Sequence, residues 1–361
     1  MNAAEAAWFF ASLLAAGAVL YWHLRHVLLT VLAVSVPALP TAFWAMNRDP
    51  AVRDFIFAAA AFGATAMFLI VQRMARAVCD GRKPHRAMAT ALGTVALAVA
   101  AALSAMLVPA LAIGGIEGLR ALGPASACLI VEATWIGVAP WLAVVFPFSE
   151  DFIASANRAR EIRRNIASRL GVLCETRWAL SIAGVALILA TIALFRVRDT
   201  QTVAHMQLYG LAAVSLVFAA GAVLWRDWRL AFALALSLGL AGLWLAGFSA
   251  SALPVFALSL ALAALPILVF GRCWAGEMRT GSRPAEALAR AIVLEGPALI
   301  ACALFVLLLG LGWSQAGMHS ALLALAGAWI ALGLVAFAAF GAGLHALAPR
   351  YRSVEEVFGK K

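Results

Sequence analysis

The sequence predicts an all-α fold: a polytopic bundle of about eleven membrane-spanning helices, built as two parallel repeats. Three observations predict it, namely the composition, the spacing of the apolar runs and an internal repeat. Of the 361 residues, 65% are hydrophobic and only 12% are charged, whereas soluble domains carry about a quarter charged residues. A water-soluble fold of this length has no means of hiding so much apolar surface, but a bilayer solvates it.

Each apolar run is long enough to cross a bilayer core, which takes about 20 residues of helix. The N-terminus has no basic segment before its apolar run, so we expect a first span and not a cleavable signal peptide. The predicted spans are 3–22, 27–46, 54–72, 87–112, 124–147, 178–196, 207–225, 230–248, 252–271, 291–313 and 319–347.

The basic residues predict the orientation of these spans. Placing the N-terminus outside and the C-terminus in the cytoplasm puts 22 of the 27 Lys and Arg residues on the inner side of a cytoplasmic membrane. The charges are interleaved with the apolar runs, so the net charge of +10 indicates topology and not binding to nucleic acid. The predicted inner segments are 23–26, 73–86, 148–177, 226–229, 272–290 and 348–361.

The chain divides into two transmembrane halves, residues 1–147 and residues 178–361, joined by a basic cytoplasmic linker at 148–177. The linker has two readings that the sequence leaves open. Its basic, amphipathic stretch lies on the inner membrane surface as a connector, or it is a solvated charged segment.

The two halves resemble each other in order along the chain. The segment Gly81–Ala91 matches Gly281–Ala291 at an offset of 200 residues, with one Gly, one Pro and three Ala in common. Tryptophans match in the same order, Trp44 with Trp244 and, after a small shift, Trp135 with Trp329. Both halves cross the membrane in the same direction, which predicts a parallel repeat about an axis along the membrane normal.

With these motifs, GRKPHRAMATAL and GSRPAEALARAIVLEGPAL, the chain resembles the membrane core of the resistance–nodulation–division superfamily, in particular its MmpL-like lipid exporter branch. The basic Gly-x-x-Pro…Ala form resembles the family's loop between the fourth and fifth helices of each half. The turns HLRH and WRDWR stand where the family has a tight turn between its second and third helices.

The chain departs from that family in two ways. The family inserts a large extracytoplasmic domain after the first helix of each half, where this chain has only residues 197–206 in its second half. Proton-coupled members carry acids in the fourth helix of each half, and the matching positions here are Thr65 and Ala264–Pro266. Because none of these ionises, we expect that the chain alone does not perform proton-driven export.

Three residues are candidates for an intramembrane polar site: Glu132, Thr65 and Pro266. Glu132 lies deep in a predicted span. It either binds a proton, a cation or a lipid headgroup, or is a protonated acid that is hydrogen-bonded to a neighbouring helix. Pro266 is predicted to break its helix, as at some transporter sites. Glu295 is placed about one turn inside its span, within reach of Arg290, with a structural role.

No spacing of cysteine and histidine predicts a metal site, and no motif predicts a nucleotide, a cofactor or a catalytic residue. Tryptophans near span ends, including Trp225, Trp228 and Trp274, are predicted to form the interfacial belt.

We therefore expect a reduced transporter core for a lipid or another hydrophobic molecule, working with a separate membrane or periplasmic protein that supplies the extracytoplasmic part. The alternative is a non-transporting subunit or scaffold of a larger complex. A membrane-embedded lipid enzyme is a weaker reading, since the sequence lacks a catalytic cluster.

Overall fold

The computed structural model describes residues 3–21, 50–105, 200–246, 253–312 and 333–345, with a few helical positions between them. All regular structure in these ranges is helical, in agreement with the predicted all-α class. The helices are α1 (Ala3–Tyr21), α2 (Pro50–Cys79), α3 (Pro84–Ala105), α4 (Thr200–Trp225), α5 (Trp228–Ala246), α6 (Leu253–Arg279), α7 (Pro284–Gly312) and α8 (Gly333–His345).

Five of the described helices contain a stretch long and apolar enough to cross a membrane, which supports a multi-pass membrane protein. These stretches are Ala61–Cys79, Pro84–Ala105, Leu208–Trp225, Leu258–Arg279 and Pro284–Leu311. Shorter apolar helices lie in α1, α5 and α8. The predicted spans 27–46 and 124–147, and most of the linker 148–177 and of the span 178–196, lie outside the described residues.

Two of the predicted loops are mostly helix. In the segments 73–86 and 272–290, the non-helical part is limited to short turns at residues 80–83 and 280–283, because α2 and α6 continue well past their predicted ends. The predicted spans ended just before Arg73 and Arg272, where the hydropathy of the sequence falls. Those arginines instead remain helical and find carbonyl and carboxylate partners on neighbouring helices, so the helices extend through them.

The two turns are built alike. Gly81 and Gly281 both have positive φ angles, 82° and 88°, the left-handed conformation that ends many helices and that glycine adopts without steric cost. The N–H of Gly81 donates to Val78 and that of Gly281 to Met278. Each turn ends three residues after its glycine at a proline, Pro84 or Pro284, which is the first residue of the next helix, where its missing N–H leaves no bond unmade.

The turn between α4 and α5 consists of two residues. Arg226 has a φ of 50° and reverses the chain. Asp227 then caps α5, since its Oδ1 accepts the N–H groups of Arg229 at 3.0 Å and Leu230 at 3.3 Å. The predicted tight turn is thus present in the second half. Its counterpart in the first half lies outside the described residues.

Helix α6 lies at the centre of the described bundle, against α2, α4, α5 and α7. Residues 258–271 of this helix are buried without interruption. Helix α1 packs on α7, and α2 also contacts α7. The prediction that Pro266 breaks its helix is wrong, because α6 continues through it from Leu253 to Arg279. Neighbouring helices at this central position hold the backbone on both sides of the proline.

Two tryptophans predicted for the membrane interface are core residues. Trp225 and Trp274 are fully buried, and both rings pack against Phe337. Each lies close to a glycine of another helix, Trp225 to Gly271 and Trp274 to Gly341. Their positions near helix ends led to the prediction that Trp225 and Trp274 belong to the interfacial belt, but their side chains face the interior of the bundle. Trp228, 60% exposed, fits the predicted belt.

Candidate functional site

The three predicted site residues do not form one cluster in the described structure. Thr65 is fully buried on α2, and its hydroxyl donates to the Ala61 carbonyl of its own helix at 2.9 Å. Its own carbonyl accepts the Cys302 thiol of α7 at 3.7 Å. Pro266 is buried on α6. Glu132 lies outside the described residues, so its prediction stays a prediction.

The structure instead brings buried charges together at the meeting of α2, α6 and α7. Glu295 of α7 is 1% exposed, and its Oε1 lies 2.9 Å from Arg73 Nη2 and 3.8 Å from Arg76 Nη1. The predicted partner Arg290 pairs with Glu277 instead, at 3.7 Å. Helix α7 begins at Pro284, so Glu295 lies about three turns inside it and not one.

Arg73 contacts a second helix besides that of Glu295. Arg73 Nη2 donates to the Val269 carbonyl of α6 at 3.0 Å. Despite the short distance, neither oxygen of Glu295 accepts a hydrogen bond with acceptable geometry from the described residues. Arg73 Nε is buried and also lacks an acceptor among them. Breaking a buried ion pair by removing one partner costs about 3–5 kcal/mol, so Glu295 depends strongly on Arg73.

Two more hydrogen bonds cross between the helices at the same level. Gln72 of α2 donates to the Leu294 carbonyl of α7 at 3.5 Å, and Arg272 of α6 donates to the Thr94 carbonyl of α3 at 3.4 Å. The offset of 200 residues in the predicted repeat relates the two bonds: position 72 corresponds to 272, and position 94 to 294. We call the five side chains of Gln72, Arg73, Arg76, Arg272 and Glu295 the inter-hairpin layer, since they join hairpin α2–α3 to hairpin α6–α7.

The same exchange recurs at the turns. Arg82 donates to the Thr90 hydroxyl at 3.4 Å, and Arg290 donates to the Ser282 hydroxyl at 3.0 Å. Positions 82 and 90 of the first hairpin correspond to 282 and 290 of the second, with donor and acceptor interchanged. The two hairpins therefore share a contact pattern as well as a sequence pattern.

The symmetry fails at the carboxylate. The residue matching Glu295 is Val95 on α3, and the residue matching Arg73 is Cys273 on α6. The buried ion pair thus occurs once among the described residues, on the α2–α7 side. Cys273 lies beside it, with its sulfur 3.9 Å from Arg76 Nη1.

A second polar contact joins the end of α8 to the turn between α4 and α5. His345 Nε2, at the end of α8, lies 3.2 Å from Oδ2 of Asp227, which caps α5. Burial, the largest single influence, raises the pKa of the Asp227 carboxyl. The adjacent His345 and the N–H groups of Leu230 and Arg229 together outweigh it, so the pKa of Asp227 lies below its ordinary value. This pair ties α8 to the turn between α4 and α5.

Sequence reasoning missed the inter-hairpin layer although one signal for it was present. Gln72, Arg73 and Arg76 follow the apolar part of α2, and Glu295 is an acid within a long apolar segment. Assigning the arginines to a loop and Glu295 to a helix end hid the pairing. Opposite charges on helices that continue past their apolar segments indicate such a contact.

In the part of the chain that the structure describes, no three His, Cys, Asp or Glu side chains come together as metal ligands. The inter-hairpin layer, in which the guanidinium groups of Arg73 and Arg76 lie beside the Glu295 carboxylate, is suited to electrostatic contact between helices. No family model matches the chain, and no curated protein sequence matches it.

Proposed function

We propose that this chain is the membrane core of a transporter for a lipid or another hydrophobic molecule, resembling the exporter core of the resistance–nodulation–division superfamily. A separate membrane or periplasmic protein supplies the extracytoplasmic part. The proposal places the chain in an inner membrane, with its N-terminus outside and its C-terminus in the cytoplasm, on the evidence of its basic segments.

One observation carries the proposal: α2 and α6 lie side by side and run in the same direction. Arg73 contacts Val269, and three residues later Arg76 contacts Cys273, so contacts advance together along both helices. An inverted repeat would place the corresponding helices antiparallel. Parallel central helices with interchanged hydrogen bonds support two halves of about five and six helices, related by an axis along the membrane normal.

Transporters of this design work by movement of one half against the other around the central helices. The described centre suits such movement, because the polar contacts between the two hairpins lie mostly in the inter-hairpin layer. Around Thr65 and Pro266 the same helices meet mainly through apolar side chains. Apolar contacts have no directional requirement and permit sliding.

The test is lipid movement by the purified chain in liposomes that contain an NBD-labelled phosphatidylethanolamine. Dithionite quenches only label in the outer leaflet, so the rate of quenching reports transbilayer movement. We expect movement above that of protein-free liposomes and of liposomes with an unrelated polytopic protein. An imposed proton gradient should not accelerate it, because Thr65 and its counterpart region do not ionise.

A non-transporting subunit is the second candidate, favoured by the same lack of ionisable groups at Thr65 and Pro266. It predicts no lipid movement, together with stable co-purification of another membrane protein in mild detergent. Robust proton-driven lipid movement by the chain alone would contradict both candidate functions. Loss of that movement in Glu132→Gln would then assign the proton relay to the predicted span 124–147.

A further inference from the structure

Three arginines come together at the turn between α4 and α5. Arg226 is exposed in the turn itself, and Arg229 is half-buried in the first turn of α5. Arg279, at the end of α6, reaches the same place, because its Nη2 donates to the Trp225 carbonyl. Three guanidinium groups therefore lie at this end of the α4–α5 hairpin, although they come from separate parts of the chain.

The acid of this turn leaves the three arginines unneutralised. Asp227 uses its Oδ1 to cap α5, and its Oδ2 lies against His345. Among the described residues, no carboxylate forms an ion pair with Arg226, Arg229 or Arg279. Guanidinium groups bind phosphate through paired, charge-assisted hydrogen bonds. The turn is therefore a surface that attracts a phosphate group.

An exposed apolar surface runs from these charges along the hairpin. Trp228 stands beside Arg229, whose Cζ lies 5.5 Å from the centroid of the indole ring. Large exposed apolar side chains follow on both helices, and on α5 they recur every fourth residue, along one face. They are Trp228, Phe232 and Leu236 on α5 and Leu216 and Val223 on α4. A cationic turn above such a surface matches a molecule with an anionic headgroup and acyl chains.

We propose that the α4–α5 turn binds an anionic phospholipid, whose phosphate contacts Arg226 and Arg229 and whose acyl chains follow Val223 and Phe232. Trp228 lies at the level of the headgroup, where indole rings are favoured. A net negative lipid is preferred because each arginine near the membrane surface attracts its charge, whereas a choline or ethanolamine group cancels that charge. The inference requires no transport of this lipid and holds for either orientation of the chain.

The turn between α2 and α3 is also basic and supplies a matched control. Lys83 and Arg86 are exposed there. The exposed residues that follow Arg86 on α3 are small or polar, namely Ala89, Thr90 and Gly93. A basic surface without a tryptophan or large apolar side chains attracts anionic lipid only diffusely. Arg86 therefore reports the attraction that any exposed arginine exerts.

The test measures lipid contact at Trp228 in the full-length protein, reconstituted in phosphatidylcholine vesicles. Part of the lipid is brominated phosphatidylglycerol or, in a parallel sample, brominated phosphatidylcholine, since bromine quenches tryptophan fluorescence on contact. The chain has 12 tryptophans, so the signal of Trp228 is taken as the difference between each protein and its Trp228→Phe counterpart. We expect brominated phosphatidylglycerol to quench Trp228 at a lower mole fraction than brominated phosphatidylcholine does.

Arg229→Gln should weaken this preference about fivefold, equivalent to ~1 kcal/mol. The double variant Arg226→Gln, Arg229→Gln should abolish it, and Arg86→Gln should leave it unchanged. Equal quenching by the two lipids in the wild type would overturn the proposal without any variant. A loss in Arg86→Gln as large as that in Arg229→Gln would also overturn it, because the attraction would then be diffuse.

A further arm separates the lipid from free phosphate. An excess of inorganic phosphate at constant ionic strength should leave the quenching by brominated phosphatidylglycerol unchanged, because inorganic phosphate has no acyl chains to contact Val223 and Phe232. Displacement of the lipid by inorganic phosphate would show a site for phosphate alone and would overturn the proposal.

Discussion

At the scale of single residues, close packing in this bundle depends on glycines that face tryptophan rings. Gly271 lies against Trp225, and Gly341 against Trp274. A Cβ added at Gly271 would meet Trp225 Cη2 at 2.6 Å, well inside normal contact. The ring has no room to yield, since Trp225 is fully buried and packed on Phe337. These glycines therefore set the distance between neighbouring helices.

Gly271→Ala should lower the free energy of unfolding by about 1–3 kcal/mol, the usual cost of overpacking a core. The matched control is Gly239→Ala on α5, where an added Cβ meets nothing within 4 Å. That change should stabilise the protein by roughly 0.5–1 kcal/mol, the helix propensity gained over glycine. Thermal unfolding in mild detergent, followed by circular dichroism, measures both. Equal effects of the two substitutions would show that the Gly271–Trp225 contact is not tight.

The lowered pKa of the Asp227 carboxyl gives a second prediction, on the pH dependence of stability. Because folding lowers the pKa of Asp227, its charge stabilises the fold above the ordinary value of 3.8, and this contribution is lost as the pH falls below it. Asp227→Asn keeps a capping side chain but removes the charge, and should cost no more than about 1 kcal/mol at neutral pH, as the site is partly solvated. The difference in the free energy of unfolding between Asp227→Asn and the wild type should vanish in acid.

Asp227→Ala removes the cap of α5 as well as the charge. It should cost about 1 kcal/mol more than Asp227→Asn, since Asp227 accepts two backbone N–H groups. Unlike the effect of charge, this extra cost should persist at acid pH, because a protonated Asp side chain still has an acceptor oxygen. Identical losses for Asn and Ala would argue against capping.

At the scale of helices, the two hairpin turns show which features of a fold are readable from sequence. Glycine and proline at positions 81, 84, 281 and 284 have conformational requirements of their own, so their spacing predicted two similar turns. Hydropathy predicted the existence of the helices but not their ends. The ends of α2 and α6 depend on partners for Arg73 and Arg272 on other helices, and a local average does not contain those contacts.

The orientation of the two hairpins remains a prediction and is open to direct test. Lys83→Cys and Arg283→Cys replace exposed residues at matching positions in the two turns. In intact cells of a bacterial host, a membrane-impermeant maleimide should label neither, and labelling should appear for both after the membrane is opened. Labelling of both from outside would reverse the predicted orientation. Labelling of only one from outside would contradict a parallel repeat.

At the scale of the whole molecule, the described helices form one core around α6, with the inter-hairpin layer as its principal charged contact. Sequence predicted the membrane class because composition is a property of the entire chain. It misplaced the site because Arg73 and Glu295 are 222 residues apart and belong to different predicted halves. The resemblance implied acids in the fourth helix of each half, and neither Arg73 nor Glu295 matches that type and position. Only the packing of the helices shows the pair.

The central claim is that the two hairpins, α2–α3 and α6–α7, move against each other. Pulsed electron paramagnetic resonance between spin labels on Lys83→Cys and Arg283→Cys, in a chain whose five native cysteines are replaced by serine, measures it directly in lipid membranes. We predict two distance populations, one for each arrangement of the hairpins. A single narrow distance would contradict the account and favour a rigid scaffold.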